Sequence, residues 1–276
     1  MSGGAPDGAA ARPPVLLLTG VGLTAAVALR TVAQLEKDFH LLPPSPDSTR
    51  DDETAGAPTT TGDAVRTLDD ASVEQAHVVG LSFGAAIAQE LAIRHPERVR
   101  SLVLASSTAG GELYVAPERP IRQFLRRLVE LPAEEGLWAT VPYLYSEATY
   151  RRHAPLIGED IARRLERPLD PRSYRAQRAI ARAHDTSTRL AAITAPTLVI
   201  HGEQDRILPL DNGRLLAGAI AGAKFIALQI GAHAFPTDVP DASAALLSFL
   251  LAHSPPPARP ATQRPTTTRT ARAGRA

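Results

Sequence analysis

The sequence contains no cysteine among its 276 residues. Disulfides, thiolate nucleophiles and cysteine-ligated zinc are therefore excluded, and covalent chemistry would have to use serine, threonine, lysine, aspartate or glutamate. Long apolar runs are missing too. No stretch approaches the length of a membrane span, and the start of the chain lacks the apolar core of a signal peptide. The sequence thus predicts a cytoplasmic protein without a membrane association.

The chain also has little net charge, +1 at neutral pH, and its basic residues are unevenly placed. Residues 254–276 hold five arginines and no acid, so removing them from the formal +1 leaves −4 for the rest. A mildly acidic folded part is unsuited to binding nucleic acid. The tail is rich in Pro, Thr and Ala. We expect it to be disordered, and we expect the same of the start at 1–13. Contact of the tail with RNA or an anionic membrane is left open.

Residues 14–253 alternate short apolar runs with helical stretches, which predicts an α/β fold with a parallel sheet covered on both faces. The alternation breaks between Ala105 and Pro196, where seven prolines separate amphipathic segments such as Ile121–Leu131 and Ile161–Leu165. So long an excursion predicts an inserted helical cap at about 107–190. The predicted strands are Val15–Leu18, Phe39–Leu42, His77–Leu81, Ser101–Ala105, Thr197–His201 and Lys224–Leu228, and the predicted helices are Ala25–Glu36, Asp63–Val73, Phe83–His95, Leu210–Ala219 and Asp241–Ala252.

The stretch from His77 to Ala92 is typical of a strand, a sharp turn and a helix, with a serine at the apex of the turn. Gly80, Ser82 and Gly84 form Gly-x-Ser-x-Gly. A serine on so tight a turn has strained backbone dihedrals, and its neighbours must lack a bulky Cβ. The motif alone also arises by chance, but the strand before it and the helix after it favour Ser82 as a nucleophile.

Two candidate partners for Ser82 follow later strands. Asp205 lies just past the fifth predicted strand and His233 just past the sixth, and functional residues of parallel sheets collect at such strand ends. His233 would take the Ser82 proton, and Asp205 would hold the imidazole in the correct tautomer. His201, on or beside a strand, is interpreted as a core or rim residue. No His, Asp or Glu cluster has metal-ligand spacing, so neither a metal nor another cofactor is expected.

These motifs resemble those of cap-bearing α/β-hydrolases, a family that includes enol-lactonases, carboxylesterases and methylesterases. The similar segments are Val-Val-Gly-Leu-Ser-Phe-Gly at 78–84, His-Pro-Glu-Arg-Val at 95–99, Ala-Pro-Thr-Leu-Val-Ile-His-Gly-Glu-Gln-Asp at 195–205 and Gly-Ala-His at 231–233. The resemblance implies cleavage of a small or medium, mostly apolar ester or lactone through an acyl-enzyme. It also implies that the backbone N–H groups of Val21 and Phe83 form the oxyanion hole.

The chain departs from the family pattern near its start. Thr19 stands where the family usually has a histidine, and the two leading strands of the family are expected to be absent. Two other functions remain open. The segment Gly-Val-Gly-Leu-Thr-Ala at 20–25 matches a dinucleotide fingerprint, although the next strand ends without the ribose-binding acid. A non-catalytic protein that keeps the hydrolase fold is the other alternative.

The cap segment carries many of the larger apolar side chains in a chain with only 4% aromatic residues. Some of them would line a cavity over Ser82, because apolar walls are usual in such sites. We therefore predict a preference for neutral esters over anionic enol-lactones, with the cap arginines 122, 126 and 127 as the alternative that would favour anions. The candidate pocket residues are Leu113, Tyr114, Trp138 and Tyr143.

Overall fold

A computed structural model describes residues 12–21, 35–42, 60–166, 171–239 and 242–255. Strands and helices alternate along the chain on both sides of a long helical segment. The strands are β1 (Pro14–Leu18), β2 (His40–Leu42), β3 (Ala76–Leu81), β4 (Val99–Ala105), β5 (Thr197–Gly202) and β6 (Lys224–Leu228). The helices are α1 (Thr61–Asp70), α2 (Phe83–Arg94), α3 (Arg119–Arg127), α4 (Ala133–Leu144), α5 (Glu147–Arg152), α6 (Ala154–Glu166), α7 (Pro171–Ala183), α8 (Leu210–Gly218), α9 (Phe235–Asp238) and α10 (Ala242–Ala252).

The strands form one six-stranded sheet in the order β2-β1-β3-β4-β5-β6, and every neighbouring pair is parallel. The prediction of an α/β fold with six strands is confirmed. The order reverses between β1 and β3, because the chain first adds β2 on one side of β1 and then returns to the other side. In sheets of this kind, ligands bind outside the carboxyl ends of the strands at such a reversal.

Side chains of the strands alternate between two apolar clusters, one on each face of the sheet. Val78 packs in the cluster that holds α1, α2 and α8, whereas its neighbour Val79 packs with Phe39 and the buried side of α10. This alternation follows from the period of two residues in a strand, and a continuous apolar run is what a doubly covered parallel strand requires. The predicted helices of these two layers are present, except that Ala25–Glu36 lies almost entirely outside the described residues.

The segment between β4 and β5 is the predicted helical cap. It contains α3 to α7 and has a small apolar cluster of its own, in which Tyr145, Ile157 and Ile161 are buried. The amphipathic segment predicted at Ile121–Leu131 forms α3, which begins two residues earlier and passes into a 3₁₀ turn at Leu128–Glu130. The inserted segment is therefore helical and has an apolar cluster of its own, as the family resemblance implies.

Three predictions concern residues that the structure describes only in small part. The disordered start at 1–13 and tail at 254–276 lie outside the described residues apart from 12–13 and 254–255, and so does any leading hairpin before Arg12. Strand β2 is an edge strand of the sheet formed by the described residues. Among the helices that the structure describes, none has the length and apolar character needed to cross a membrane.

Candidate active site

Ser82 occupies the sharp turn between β3 and α2. Its φ of 53° and ψ of −114° lie in a region that residues with a side chain rarely adopt. Both glycines of the motif are required by close approach. A Cβ on Gly80 would lie 2.5 Å from the Ala85 Cα, and one on Gly84 would lie 2.1 Å from the Leu18 carbonyl oxygen. The turn is thus pressed against the end of β1, and its strained backbone exposes the serine hydroxyl.

Replacing Gly84 with alanine is expected to destabilise the fold by about 1–3 kcal/mol, because the new methyl group overlaps backbone atoms that cannot move independently. Chemical denaturation followed by circular dichroism measures this loss. Gly158 in α6 is the matched control, since nothing lies within 4 Å of the position of its Cβ. Gly158→Ala should leave stability unchanged or raise it by up to about 1 kcal/mol. Equal stability of the two variants would contradict the close packing of the turn.

His233 and Asp205 lie beside Ser82, on the loops that follow β6 and β5. The His233 Nε2 atom is 3.0 Å from the Ser82 hydroxyl oxygen, and its Nδ1 atom is 2.7 Å from Asp205 Oδ2. The carboxylate oxygen can only accept, so Nδ1 carries the proton and Nε2 accepts from the serine. The structure therefore brings together all three residues that the sequence predicts, in hydrogen-bond contact and in the orientation that proton transfer from Ser82 requires.

Asp205 is fully enclosed and accepts hydrogen bonds on both carboxylate oxygens. Oδ1 accepts from the backbone N–H groups of Ile207 and Leu208 at 2.9 and 2.8 Å, and Oδ2 accepts from His233. Burial alone would raise the pKa of Asp205, but the charge of His233 and hydrogen bonds from His201 and His233 outweigh it and hold that pKa below its ordinary value. Asp205 is accordingly an anion whose orientation is fixed by its own loop.

His201, which sequence reasoning assigned to the core or rim, is a second histidine on the same carboxylate. Its side chain is fully buried at the end of β5, and its Nε2 atom is 3.2 Å from Asp205 Oδ2. The assignment to the core was right, but the contact with Asp205 was missed. The sequence did hold a signal for this contact, because His201 precedes Asp205 by four residues where the chain leaves β5.

The loop of His233 is attached to the rest of the molecule on two sides. The Ser106 hydroxyl, just past the end of β4, donates to the His233 carbonyl oxygen at 3.0 Å. The N–H of Ala234 donates to the carbonyl oxygen of Leu144, the last residue of α4, at 2.7 Å. The position of the imidazole thus depends on both the sheet and the cap.

Comparison with known proteins identifies the family to which this arrangement belongs. The family model for the α/β hydrolase fold matches residues 60–238, which include Ser82, Asp205 and His233. The chain belongs to the α/β-hydrolase family.

Two curated relatives and one solved structure illustrate what the chain is similar to. A protein of Azorhizobium caulinodans that carries the name carbamate hydrolase RutD is 31% identical over 179 residues, covering 65% of this chain and 67% of that protein. The 2-hydroxymuconate semialdehyde hydrolase of a Pseudomonas species is 35% identical over 178 residues, covering 58% of this chain and 56% of that protein. A hydrolase from Pseudomonas aeruginosa has a TM-score of 0.71 at 28% identity, covering 88% of this chain and 92% of that one. The chain thus spans little more than half the length of the second relative.

The predicted oxyanion donors of this α/β-hydrolase lie at the reversal of the sheet. Phe83 is the first residue of α2, directly after Ser82. Val21 follows the end of β1, against which the turn that carries Ser82 packs. Thr19, at the position of the family histidine, is buried. The Ser107 hydroxyl donates to the Ser82 carbonyl oxygen at 3.1 Å and so fixes the turn from the β4 side. The role of the Val21 and Phe83 N–H groups as oxyanion donors stays a prediction.

The four predicted pocket residues have different surroundings. Leu113 packs against the core cluster that holds α2, and Tyr143 stacks on Phe124 with ring centroids 4.7 Å apart. Tyr114 and Trp138 are 46% and 49% exposed, respectively. Tyr143 also contacts the Asp205 loop, because the Arg206 guanidinium lies 5.3 Å from the centre of its ring. That these side chains line a substrate cavity stays a prediction.

The acidic and histidine side chains that the structure describes do not form a metal site. In the part of the chain that the structure describes, no three or more His, Asp or Glu side chains are grouped so as to hold a metal ion. Of the two histidines at Asp205, His233 hydrogen-bonds to Oδ2, and His201 Nε2 lies 3.2 Å from the same oxygen and 2.8 Å from the Leu208 carbonyl oxygen.

Proposed function

We propose that this α/β-hydrolase is a serine hydrolase that cleaves a small or medium, mostly apolar ester or lactone through an acyl-enzyme on Ser82. The observation that carries the proposal is the continuous chain of hydrogen bonds from the Ser82 hydroxyl to His233 at 3.0 Å and on to Asp205 at 2.7 Å. A serine hydroxyl is a weak nucleophile unless an adjacent base accepts its proton. His233 is placed to be that base.

In the first half of the reaction, Ser82 Oγ forms a bond to the substrate carbonyl carbon while its proton passes to His233 Nε2. The carbonyl electron pair moves onto the oxygen, which the N–H groups of Phe83 and Val21 would stabilise. The tetrahedral species then breaks its bond to the leaving oxygen, which takes the proton from His233. An alcohol departs and the acyl group remains on Ser82.

In the second half, water takes the place of the alcohol. Its proton passes to His233 while its oxygen attacks the acyl carbon, and collapse returns the proton to Ser82 and releases the acid. Asp205 stabilises the imidazolium in both halves without accepting a proton, in keeping with the direction of its pKa. No cofactor is needed, because no electrons are exchanged with the protein and the proton that Ser82 loses to the alcohol is replaced by one from water.

The relatives support hydrolysis as the reaction type without fixing the bond that is cleaved. One is named for a carbamate and the other for a semialdehyde, and the second is matched over only part of its length. An ester or lactone is favoured here by the apolar character of the cap, in which Tyr145 is buried and Leu144 packs against the same cluster. A low-polarity cavity suits an uncharged acyl group.

Labelling with a fluorophosphonate probe tests the proposal, because the probe bonds covalently to an activated serine. We expect stoichiometric labelling at Ser82 in the native protein and none after heat denaturation. A native protein that does not react would overturn the proposal. It would favour the non-catalytic hydrolase-fold alternative, or the dinucleotide-binding one if a nicotinamide dinucleotide then proved to bind.

An anionic substrate is a second candidate, and Arg206 is the observation that favours it. This arginine follows Asp205 directly, and its guanidinium lies against Tyr143 of the cap. Arg122, Arg126 and Arg127 lie on α3 and are exposed, as Arg206 is, but Arg206 is the one of these four that directly follows Asp205 in the chain.

A panel of esters separates the two candidates. We expect kcat/KM for neutral esters of moderate chain length to exceed that for anionic analogues by about tenfold or more, because burying an unpaired polar group costs about 1–3 kcal/mol. Arg206→Gln should leave the neutral esters unaffected, and Arg126→Gln is the matched control. The opposite preference, abolished by Arg206→Gln alone, would establish the anionic substrate.

A further inference from the structure

His201 stands apart from the three residues of the proposed mechanism, yet it contacts one of them. Its Nε2 atom lies 2.8 Å from the Leu208 carbonyl oxygen and 3.2 Å from Asp205 Oδ2. Both neighbours are acceptors, so Nε2 must carry a proton and share it between them. His201 is therefore a donor to the oxygen that also accepts from His233.

The other ring nitrogen fixes the charge of His201. Its Nδ1 atom is buried and has no hydrogen-bond partner. It faces Gly213 on α8, where even a Cβ would lie 2.6 Å away. A proton on Nδ1 would be a buried N–H group without an acceptor, which costs free energy. An unprotonated ring nitrogen without a donor costs less. The ring is thus neutral, with its one proton on Nε2.

Two donors on one carboxylate oxygen compete. Every strong acceptor position of Asp205 is occupied, because Oδ1 receives two backbone N–H groups and Oδ2 receives both histidines. Hydrogen bonds to the charged form of a carboxylate stabilise that form and make it less basic. His201 therefore weakens the pull of Asp205 on the His233 proton while it holds the oxygen in place.

We propose that His201 is a positioning residue that sets the strength of the Asp205–His233 hydrogen bond, and through it the pH range in which His233 can act as a base. The expected change in the pH profile rests on the proposed function. The expected change in the Asp205–His233 hydrogen bond does not rest on it, because that bond exists in the resting protein.

Other charged groups around Asp205 do not offer the same control. The groups that act on its charge are His233 and His201. Arg206, next in the chain, is directed onto Tyr143, and Glu203 is exposed to solvent. On α8, the element packed against His201, the charged residues are Asp211 and Arg214, which pair with each other at 3.0 Å on the exposed side.

Three substitutions test the role of the donor. Gln can place its amide nitrogen near the position of Nε2, whereas Asn is one methylene too short and Leu has no donor. A carboxylate that loses a hydrogen-bond donor becomes more basic, so Asp205 would hold the His233 proton more strongly. We therefore expect the acid limb of the pH profile of kcat/KM to move to higher pH by about 0.5–1 unit in His201→Asn and His201→Leu. His201→Gln should restore the wild-type limb. The Asn and Gln pair keeps the test valid if the Leu variant does not fold.

The downfield proton resonance of His233 Nδ1–H gives a second readout in resting protein without substrate. It should move further downfield in His201→Asn than in His201→Gln. Buried His77, which contacts Ser101 and Ser254 at 2.7 and 3.1 Å, supplies the control pair His77→Asn and His77→Gln, for which neither readout should change. Identical limbs and resonances in the Asn and Gln variants of His201 would overturn the inference. A protein without esterase activity but with the shifted resonance would refute the proposed function alone.

Discussion

Replacing Ser82 with alanine is expected to lower ester turnover by about a thousandfold or more, as the loss of a triad nucleophile does in serine hydrolases. The hydroxyl is the atom that would bond to the acyl carbon, and nothing else in the hydrogen-bond chain can take that role. Stability should change little, because Ala at this position keeps the backbone of the turn. Initial rates on a chromogenic ester, with thermal unfolding measured in parallel, check both expectations.

Ser187 provides the control for the Ser82 experiment. Its hydroxyl also makes a hydrogen bond, to Asp185 at 2.6 Å, but it lies in the linker that leads back to β5. Ser187→Ala should keep wild-type turnover and fluorophosphonate labelling. Full activity in Ser82→Ala would mean that another residue is the nucleophile.

Asp205→Asn is expected to lower kcat by about 10³–10⁴-fold. The reason lies in the two backbone N–H groups on Oδ1, which would keep the amide oxygen of Asn at that position. The amide NH₂ would then face His233 Nδ1, which would have to accept rather than donate. The ring proton would move to Nε2, and His233 could no longer take the proton of Ser82.

The control for this substitution is Asp211→Asn, which removes an exposed carboxylate from α8 and should leave kcat unchanged. Both variants are compared at saturating ester, so that an effect on substrate binding does not enter. A loss of less than tenfold in Asp205→Asn would show that His233 does not depend on this carboxylate for its tautomer.

The sheet could be predicted because its signals are local. Apolar runs such as Leu102–Ala105, bounded by turns, identify buried strands without any knowledge of their neighbours. Ser82, Asp205 and His233 could be predicted to meet because the carboxyl ends of parallel strands lie at one edge of a sheet. The chain order alone then placed each residue at that edge.

What the sequence left out depends on contacts between elements that are distant in the chain. The role of His201 needs the distance from its Nε2 atom to Asp205, which is set by how the chain turns after β5. The exposure of Trp138, which is about half, could not be predicted either, because an aromatic residue in a helical sequence does not reveal what covers that helix. Neither fact has a signal in residue type or spacing.

The attachment of the His233 loop has a consequence for evolution and engineering of the cap. Because the Ala234 N–H donates to the carbonyl oxygen at the end of α4, a displacement of that helix pulls on the segment that carries the imidazole. Caps of new specificity cannot then be exchanged as independent modules by joining them at 107 and 190. A grafted cap would need a free main-chain carbonyl at the position of Leu144, whatever side chains it brings to the substrate.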